Sequence, residues 1–386
     1  MRPLIRIAAL SLLVALLPTS PCLASSAGLT KAQLLAIHAP VLPYSKPSAY
    51  PVDLHQVTIL LATYPGVRKD STTTQYLTAL VNNWVNEYWK ASSSNQISFK
   101  VKRAISWKTL TAAPCSSQTQ VAAPAFFTQA VKASGWVAAK NQNLLVYTPA
   151  DPNCGQTVGF GLVATSTTSK GYAWVNTTTP AVLAHELGHN LGLDHSQLLH
   201  CVDATGADTP DAPPASCSMI PYRDTYDVMG MGTSGALADI PHQLLITKGF
   251  APAYVQSSGT YQVGDIQGSS YPTSLELHTI NGDYYLEYRH PTVTDSAQAP
   301  GGLLVHKMIP PGTSFASGGV ASKGESYLLD AALSPATPFS ISANMTLPVG
   351  ATITLAGGDI QLTLASQDDL LATIEVSTTP GVTLLP

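Results

Sequence analysis

The eleven residues from 185 to 195 read HELGHNLGLDH, and they constrain the local fold more than any other segment. An α-helix turns about 100° per residue, so His185 and His189, four residues apart, lie about 40° apart on one helical face. Their imidazoles can therefore reach one metal ion at about 2.0–2.1 Å. Glu186 projects from the same side, where its carboxylate can reach a water on that metal without filling a ligand position.

The limits of this helix can also be read from the sequence. Thr179 is a suitable N-cap, and Pro180 suits the first helical position, where an N–H would be unpaired anyway. Gly192 can adopt the positive φ that ends a helix. Because the chain reverses at Gly192, His195 can return as a third ligand, whereas a helical His195 would lie on another face.

Three neutral nitrogen ligands with an open fourth position are typical of a catalytic zinc site. Zinc lowers the pKa of its water towards 7, and Glu186 can accept the proton as that water attacks a carbonyl carbon. The residues therefore predict hydrolysis at one Zn²⁺ held by His185, His189 and His195, with Glu186 as general base. Two other interpretations are incidental histidines on an amphipathic core helix and a metal-binding domain without activity.

The first 24 residues have the features of a signal peptide. Arg2 and Arg6 form a basic start, residues 7–17 are almost all apolar, and small residues precede a cleavage site after Ala24. The apolar run is too short to cross about 30 Å of hydrocarbon, so we expect no membrane anchor. A charged fraction of 11% and a formal charge of −4 fit a secreted (extracellular or periplasmic) protein and exclude the basic surface of a nucleic-acid-binding protein.

Removal of the signal peptide leaves four cysteines. In an exported chain these suggest two disulfides, for which three pairings are possible. We favour Cys201–Cys217, which would close one loop, together with Cys115–Cys154. No pair has the C-x-x-C spacing of a zinc knuckle or a redox motif.

The segment between residues 200 and 218 carries three acidic side chains, Asp203, Asp208 and Asp211. A Ca²⁺ site is conceivable there, but the spacing matches no calcium-binding loop. We interpret the segment as a proline-rich, solvated loop and leave Ca²⁺ as an unsupported alternative. His200 and His242 are interpreted as structural or surface histidines.

The apolar pattern before residue 255 predicts alternating strands and helices. The run VTILLATY (57–64) predicts a strand, and apolar residues from Leu77 to Tyr88 recur at helical spacing. Further short strands and a weaker helix within residues 120–137 follow, up to the metal motif. This order predicts an α/β (α+β) domain with a mixed, mostly parallel sheet and the active-site helix.

Three further predictions concern a helix cap, an edge strand and a glycine-rich loop. Asp70 or Ser71 is the expected N-cap of the first helix. Residues 172–175 are the candidate edge strand, whose exposed backbone groups could pair with a substrate peptide. The glycine-rich run 155–161 lacks the Lys-Ser/Thr of a phosphate-binding loop, so we interpret it as a loop near that strand.

Beyond residue 255 short alternating stretches are separated by Gly, Pro, Asn and Asp, and helical periodicity is absent. This pattern is typical of an antiparallel, sandwich-like β-domain. The predicted divisions are a signal peptide (1–24), a leader or short pro-segment (25–51), a zinc-binding domain (52–254) and a C-terminal β-domain (255–386).

The motif H-E-x-x-H-x-x-G-x-x-H at residues 185–195 resembles that of the metzincin clan of zinc proteases. The resemblance implies a metzincin-like catalytic domain with a Met-turn beneath the metal, for which the run YDVMG at 226–230 is the matching segment. Met229 would pack beneath the ligand histidines without binding the metal. Within the clan, HELGHNLGLDHS, YRDTYDVMG and the run from Pro241 to Phe250 are most similar to the gametolysin family.

One departure from the clan concerns the residue two places after the Met-turn methionine. Astacin-like members carry a tyrosine there, which can act as an extra ligand or oxyanion donor, but this chain has Met231. Tyr222 and Tyr226 are alternatives for that role, and neither is favoured. No cysteine-switch segment precedes the predicted domain, so latency through a pro-segment thiol is unsupported.

Together these features predict a secreted metzincin-type zinc endopeptidase. We expect a monomer that acts on extracellular proteins or peptides, without nucleic acid and without a membrane anchor. One alternative is an inactive metal-binding fold whose β-domain holds glycan or protein. The other is a zinc hydrolase for a non-peptide amide, since the carbonyl chemistry would be the same.

Overall fold

The computed structural model describes residues 50–115, 124–231, 237–266, 271–279, 282–290, 301–333, 339–341, 344–380 and 384. The predicted signal peptide (1–24) and all of the predicted leader (25–51) except residues 50 and 51 lie outside these ranges. Across the described ranges, every helix is too short or too polar to cross a membrane.

A five-stranded sheet forms the centre of the first half, with the strand order β2-β1-β3-β5-β4. Its strands are β1 (Asp53–Thr63), β2 (Ile97–Thr109), β3 (Gln142–Tyr147), β4 (Gly159–Gly161) and β5 (Gly171–Val175). Strand β4 is antiparallel to β5, and the other pairs are parallel. Since β1 is buried along most of its length, its continuous apolar run fits a strand covered on both faces. The predicted mixed, mostly parallel sheet is confirmed.

Helices cover both faces of this sheet. The helices of the described residues are α1 (Thr74–Ala79), a π-helical stretch (Leu80–Val85), α2 (Asn86–Ser92), α3 (Pro124–Ser134), α4 (Pro180–His189) and α5 (Ile240–Ile246), with 3₁₀ turns at Pro152–Cys154, Pro214–Ser216 and Ala356–Gly358. Of these, α1 to α4 pack on the five-stranded sheet. Successive β1 side chains point to opposite faces. Ile59 and Leu61 therefore share a cluster with α1, α2 and α4, whereas Leu60 packs with α3. Helix α3 begins at Pro124, whose fixed φ suits a first helical turn.

The predicted N-cap of the first helix is wrong. Thr73, and neither Asp70 nor Ser71, caps α1, and its side-chain oxygen accepts a hydrogen bond of 3.2 Å from the N–H of Tyr76. The Asp70 carboxylate instead accepts a 2.5 Å hydrogen bond from the Tyr147 hydroxyl. Asp70 is therefore bound to the end of β3 and is not available to the helix.

The edge of the sheet beside α4 is β4, so the prediction that residues 172–175 form the edge strand is wrong. Strand β5 pairs with β3 on one side and with β4 on the other, which occupies its backbone groups. The segment 155–161, predicted as a loop, contains the edge strand itself. A three-residue Gly-Phe-Gly strand has no apolar run that would predict it.

Two further sheets lie in the remaining chain. One has eight strands in the order β7-β6-β14-β13-β12-β11-β9, with β8 beside β6, and the other has the order β10-β17-β16-β15. Their strands are β6 (Ser196–Val202), β7 (Asp208–Thr209), β8 (Cys217–Ile220), β9 (Ala253–Tyr254), β10 (Gly259–Gly264), β11 (Leu275–Thr279), β12 (Gly282–Arg289), β13 (Gly302–Met308), β14 (Ser326–Leu329), β15 (Thr352–Leu355), β16 (Ile360–Gln367) and β17 (Leu371–Thr378). Buried apolar residues of both sheets form one cluster.

The eight-stranded sheet joins strands from both sides of the predicted boundary at residue 254. Strand β6 follows the metal motif directly, yet it pairs in parallel with β14, so that Ser326 lies opposite Ser196. Strands β7 and β8 flank β6, so parts of the segment 200–218 belong to the sheet, whereas residues 203–207 form an exposed turn as the prediction of a solvated loop expects. The division at residue 254 and a sandwich-like second domain stay predictions.

Candidate metal centre and active-site cleft

Helix α4 has the limits that the sequence predicts. Thr179 is its N-cap residue and Pro180 occupies the first turn, although the Thr179 side chain makes no capping hydrogen bond. The helix ends at His189, and Gly192 follows with a φ of +94°. Residues other than glycine rarely adopt such a φ, so Gly192 allows the reversal that brings His195 back.

The structure brings His185, His189 and His195 together, with one ligand nitrogen of each within 4.8 Å of the others. The Nδ1 atom of His185 lies 2.7 Å from the Val228 carbonyl oxygen, and that of His189 lies 2.8 Å from the Leu193 carbonyl oxygen. Each carbonyl orients its ring and leaves Nε2 free, as in protein zinc sites. These donors therefore fit a zinc ion.

The protonation states of the histidines also fit a metal site. Burial, together with the neighbouring histidines, lowers the pKa of His185, His189 and His195 to about 3. The imidazoles are therefore neutral at neutral pH, which is the form that binds metal. The Nδ1 atom of His195 lies 3.3 Å from the Asp194 carboxylate, which orients the third ring.

Glu186 lies in the same cleft and is almost completely buried, with 6% of its surface exposed. Burial raises the pKa of this carboxyl well above its usual range. A carboxylate with a raised pKa takes a proton more readily, which suits a general base. Glu186 thus combines the position and the basicity that hydrolysis requires.

Two glycines of β4 allow the edge strand to approach α4 closely. Gly159 and Gly161 lie on the same face of the strand, since side chains alternate. A Cβ atom at Gly159 would lie 2.2 Å from Oε1 of Glu186, and one at Gly161 would lie 2.4 Å from the Glu186 carbonyl oxygen. Larger residues would push the strand away from the metal centre.

The segment predicted as the Met-turn lies against the ligand helix. Met229 is fully buried, and a Cβ at Gly188 would lie 2.6 Å from its sulfur atom, so the thioether packs directly on the helix between two histidines. Val228 supplies the carbonyl that orients His185. The Asp227 carboxylate accepts a 2.5 Å hydrogen bond from the Met229 N–H, which holds the turn.

Tyr222, one of the two tyrosines that the sequence left open as an extra ligand or oxyanion donor, lines the cleft. Its ring centroid lies 4.1 Å from that of His195. Burial raises its pKa, and the carboxylates of Glu186 and Asp194 raise it further, so the hydroxyl stays protonated and can donate a hydrogen bond. Tyr226, the other alternative, donates instead to Asn344 Oδ1 at 3.0 Å. Tyr222 reaches the cleft because the 221–224 segment folds onto β6.

Behind the Met-turn lies a buried network of charged residues that sequence reasoning missed. Its members are the carboxylates of Asp224, Asp227, Asp239 and Glu287 and the cationic groups of His242, Arg289 and His306. The spacing of these residues along the chain shows no motif, and His242 alone was predicted as structural or surface; it is fully buried. The network connects the Met-turn and α5 to β12 and β13.

Both histidines of this network are held as cations. Burial lowers the pKa of His242, but the carboxylates of Asp239 and Asp227 outweigh it and raise the pKa to about 10. Burial likewise opposes protonation of His306, and Glu287 and Asp224 raise its pKa to about 9. The positive imidazoles therefore compensate carboxylates that would otherwise be buried without partners.

The third ligand is held by the C-terminal half of the chain. The Asp194 N–H donates to the Gly324 carbonyl oxygen at 3.0 Å, and the Ser326 N–H donates to the His195 carbonyl oxygen at 3.3 Å. His242 Nε2 also lies 3.0 Å from the Gly324 carbonyl oxygen. The backbone around His195 therefore depends on residues that follow the predicted domain boundary.

The structure contains the two disulfides that we favoured, Cys115–Cys154 and Cys201–Cys217. The three aspartates considered for calcium have separate partners. Asp203 accepts hydrogen bonds within its own turn. The Asp208 carboxylate lies 2.8 Å from Nε2 of His200, and the Asp211 carboxylate accepts a 2.8 Å hydrogen bond from the Lys307 ammonium. They do not converge on one site.

The cleft in front of the histidines has a volume of about 890 Å³. Strand β4 forms one wall, and the other wall consists of residues 221–223 and the exposed Met231 after the Met-turn. Glu186 and Arg223 are the charged side chains other than histidine along it. An extended chain could therefore lie along β4 and pass the three histidines.

Comparison with known proteins gives one family match. Residues 54–227 match the family model Reprolysin_5, described as metallo-peptidase family M12. The matched range contains the three histidines and Glu186 and supports a zinc metallopeptidase at the level of the family. A comparison with curated proteins returned no match.

Solved structures give a weaker likeness. One match is described as "Structure of a chaperone-substrate complex", with 18% identity and a TM-score of 0.24. The alignment covers 39% of this chain and 26% of that chain. A likeness of this size carries no argument about fold or function.

Proposed function

We propose that this chain is a secreted, metzincin-type zinc endopeptidase that resembles the gametolysin family. His185, His189 and His195 would hold one zinc ion, and Glu186 would be the general base. The observation that carries the proposal is the convergence of three neutral, oriented imidazoles on one point beside a buried carboxylate, within an open cleft. The family match over residues 54–227 and the two disulfides support it.

The metal and the side chains of the protein would contribute different parts of the reaction. When bound, zinc supplies a Lewis acid that polarises a carbonyl oxygen and acidifies a water molecule. Glu186 accepts the proton of the attacking water, because burial has raised its pKa, and then returns that proton to the leaving amine. The protonated hydroxyl of Tyr222, beside His195, is a donor for negative charge on the substrate oxygen.

Strand β4 orients the substrate in this proposal. Among the described residues β4 pairs only with β5, so its outer edge is free to pair with an extended peptide. The peptide would then run past Glu186, which lies against Gly159. Edge pairing favours a peptide over a small non-peptide amide, because the latter has no backbone to pair along the strand.

The test is the Glu186→Gln substitution, which keeps the shape of the side chain and removes the base. We expect kcat/KM for peptide cleavage to fall at least about 100-fold, while zinc content and Tm stay near those of the wild type. Glu87→Gln is the matched control, since Glu87 pairs with Lys90 on the surface away from the cleft. Equal cleavage by Glu186→Gln and the wild type would show that the proposed mechanism is wrong.

A further inference from the structure

Arg223 differs from the other charged side chains near the metal centre. It lines the cleft and is partly buried, yet no carboxylate of the described residues lies within ion-pair distance of it. Guanidinium groups removed from solvent normally have hydrogen-bonding partners, and planar bidentate carboxylates fit them best. A partly buried arginine that lines a cleft and has no such partner among the described residues is therefore suited to a carboxylate that arrives with a ligand.

The backbone around Arg223 is held in place on both sides. The Tyr222 N–H donates to Gln197 Oε1 at 2.8 Å, and Tyr222 has a φ of +62°, which a bulky residue adopts only when its surroundings hold it. On the other side, Asp224 is fully buried and accepts a 2.7 Å hydrogen bond from Ser196 Oγ. Arg223 thus lies on a fixed segment, and little order is lost when it binds a partner.

The charge of the cleft points to the same class of ligand. Arg223 and Glu186 are the charged side chains other than histidine that line the cleft, and Glu186 lies deep in it, against Gly159. Arg223 and a bound divalent metal would both be positive, so their charge would exceed that of the single Glu186 carboxylate. Opposite charge attracts an acidic side chain into such a cleft, and a basic side chain is repelled.

We infer that Arg223 selects substrates by their charge, and that this cleft takes peptides with an aspartate or glutamate within a few residues of the cleaved bond. The inference rests on the proposed function and adds a substrate class to it. The guanidinium would bind the acidic side chain in a charge-assisted, bidentate contact. An amide side chain of the same shape would leave the guanidinium without its partner and would bind less well.

The experiment compares peptides that are identical except at one position. Fluorogenic peptides carry Glu, Gln or Lys at each of the three positions on either side of the scissile bond. We expect the wild type to prefer Glu over Gln at one position by about tenfold in kcat/KM. Arg223→Ala should bring that ratio close to one, and Arg223→Glu should favour Lys at the same position.

Arg68→Glu is the matched control, because it makes the same charge change at an exposed arginine outside the cleft. It should keep the wild-type preference. Zinc content and Tm of each variant show that it has folded. An undiminished Glu-to-Gln ratio in Arg223→Ala, or no preference in the wild type, would overturn the inference although cleavage itself persists.

A binding measurement separates this inference from the proposed function. Fluorescence anisotropy gives the Kd of the Glu and Gln peptides for the Glu186→Gln variant, with and without Arg223→Ala. If the wild type cleaves no peptide but the Arg223-dependent difference in Kd is present, the proposed endopeptidase function fails and the inference stands. Equal Kd values for the two peptides would contradict the inference.

Discussion

Two glycines on one face of β4 determine how closely the edge strand approaches the active-site helix. Gly159 faces the Glu186 carboxylate, and Gly161 faces the Glu186 carbonyl oxygen and the His189 side chain. The two contacts differ in what can move. A carboxylate is the end of a flexible side chain, whereas the carbonyl oxygen belongs to the backbone of a buried helix.

We therefore predict that Gly161→Ala impairs the protein. Its Cβ would lie 2.4 Å from the Glu186 carbonyl oxygen and 2.8 Å from the Cβ of His189, so the strand or the helix must shift. Overpacking of this kind costs about 1–3 kcal/mol of stability, and kcat/KM should fall because the substrate-pairing edge moves. Urea unfolding and peptide cleavage measure the two effects.

Gly259→Ala in β10 is the control for this substitution. A Cβ there would lie 3.6 Å from its closest neighbour, the Tyr261 ring, which is an ordinary contact. We expect its stability to change by less than about 1 kcal/mol. If Gly161→Ala behaved like Gly259→Ala, close packing of β4 on α4 would not be what requires glycine at position 161.

At the residue scale the sequence predicts what short-range geometry determines. His185 and His189 lie on one face because four residues make about one helical turn, and Gly192 ends the helix because its φ is positive. Tyr222 and Arg223 could not be found in this way. Their place beside the histidines depends on the bond from Tyr222 to Gln197, which joins segments that no local pattern relates.

At the scale of elements, the charged network behind the Met-turn joins the ends of four segments. Ser326 in β14 donates to the Asp239 carboxylate beside α5, and Ser196 at the start of β6 donates to Asp224 and lies 3.2 Å from Asp239. Glu287 of β12 accepts a 2.9 Å hydrogen bond from the Ile240 N–H at the start of the same helix. The start of α5 and the strands β6, β12 and β14 thus share one set of buried charges.

This network predicts how stability depends on pH. Folding raises the pKa of His306 to about 9 and that of His242 to about 10, above their ordinary value of 6.5. Groups with a raised pKa stabilise the fold fully below the unfolded value and lose that contribution as pH rises through the folded value. The free energy of unfolding of the metal-free protein should therefore fall between pH 6.5 and pH 10.

Burial also raises the pKa of Asp239 to about 6. The free energy of unfolding should therefore also fall with rising pH in the range below pH 6.5. The measurement is urea unfolding at pH 6.5 and 9.5 with a chelator present. His306→Gln should be less stable at pH 6.5 and should show a smaller fall, whereas His200→Gln, at a half-exposed histidine, should keep the wild-type fall. A fall in His306→Gln as large as in the wild type would contradict the prediction.

Elements were predictable where apolar periodicity is strong. Strand β1 and the helical run from α1 to α2, with Leu77 and Tyr88, each bury a continuous or periodic apolar set. The edge strand β4 was missed because two of its three residues are glycines. The end of β6 and the start of β8 were predicted as parts of a loop because the segment between them is rich in Pro, Asp and Ala, although Cys201 and Cys217 lie opposite each other.

At the scale of the whole molecule, the metal motif and the C-terminal half depend on each other. Strand β14 pairs with β6 across about 130 residues of sequence, and the loop before β14 holds the backbone around His195. Such a pairing of distant segments cannot be read from local patterns, which is why the sequence predicts a division at residue 254 that the eight-stranded sheet crosses.

We predict that residues 52–254 alone do not form the metal centre. The truncation would remove His306 from the buried carboxylate of Asp224, and breaking such a buried pair costs about 3–5 kcal/mol. It would also remove the Gly324 and Ser326 contacts that hold Asp194 and His195. The measurements are thermal unfolding and zinc affinity, determined by competition with a chromophoric chelator.

The Gly324→Ala substitution tests the same dependence in the full chain. Gly324 has a φ of +89°, and a Cβ there would lie 2.7 Å from the Gly192 carbonyl oxygen, so the loop must move away from the turn that leads to His195. We expect this variant to keep a cooperative unfolding transition. It should bind zinc at least about tenfold more weakly, because the loss of support around a metal ligand usually has an effect of this size. If the truncated protein (residues 52–254) or the Gly324→Ala variant bound zinc as tightly as the wild type, the third ligand would not need the C-terminal half.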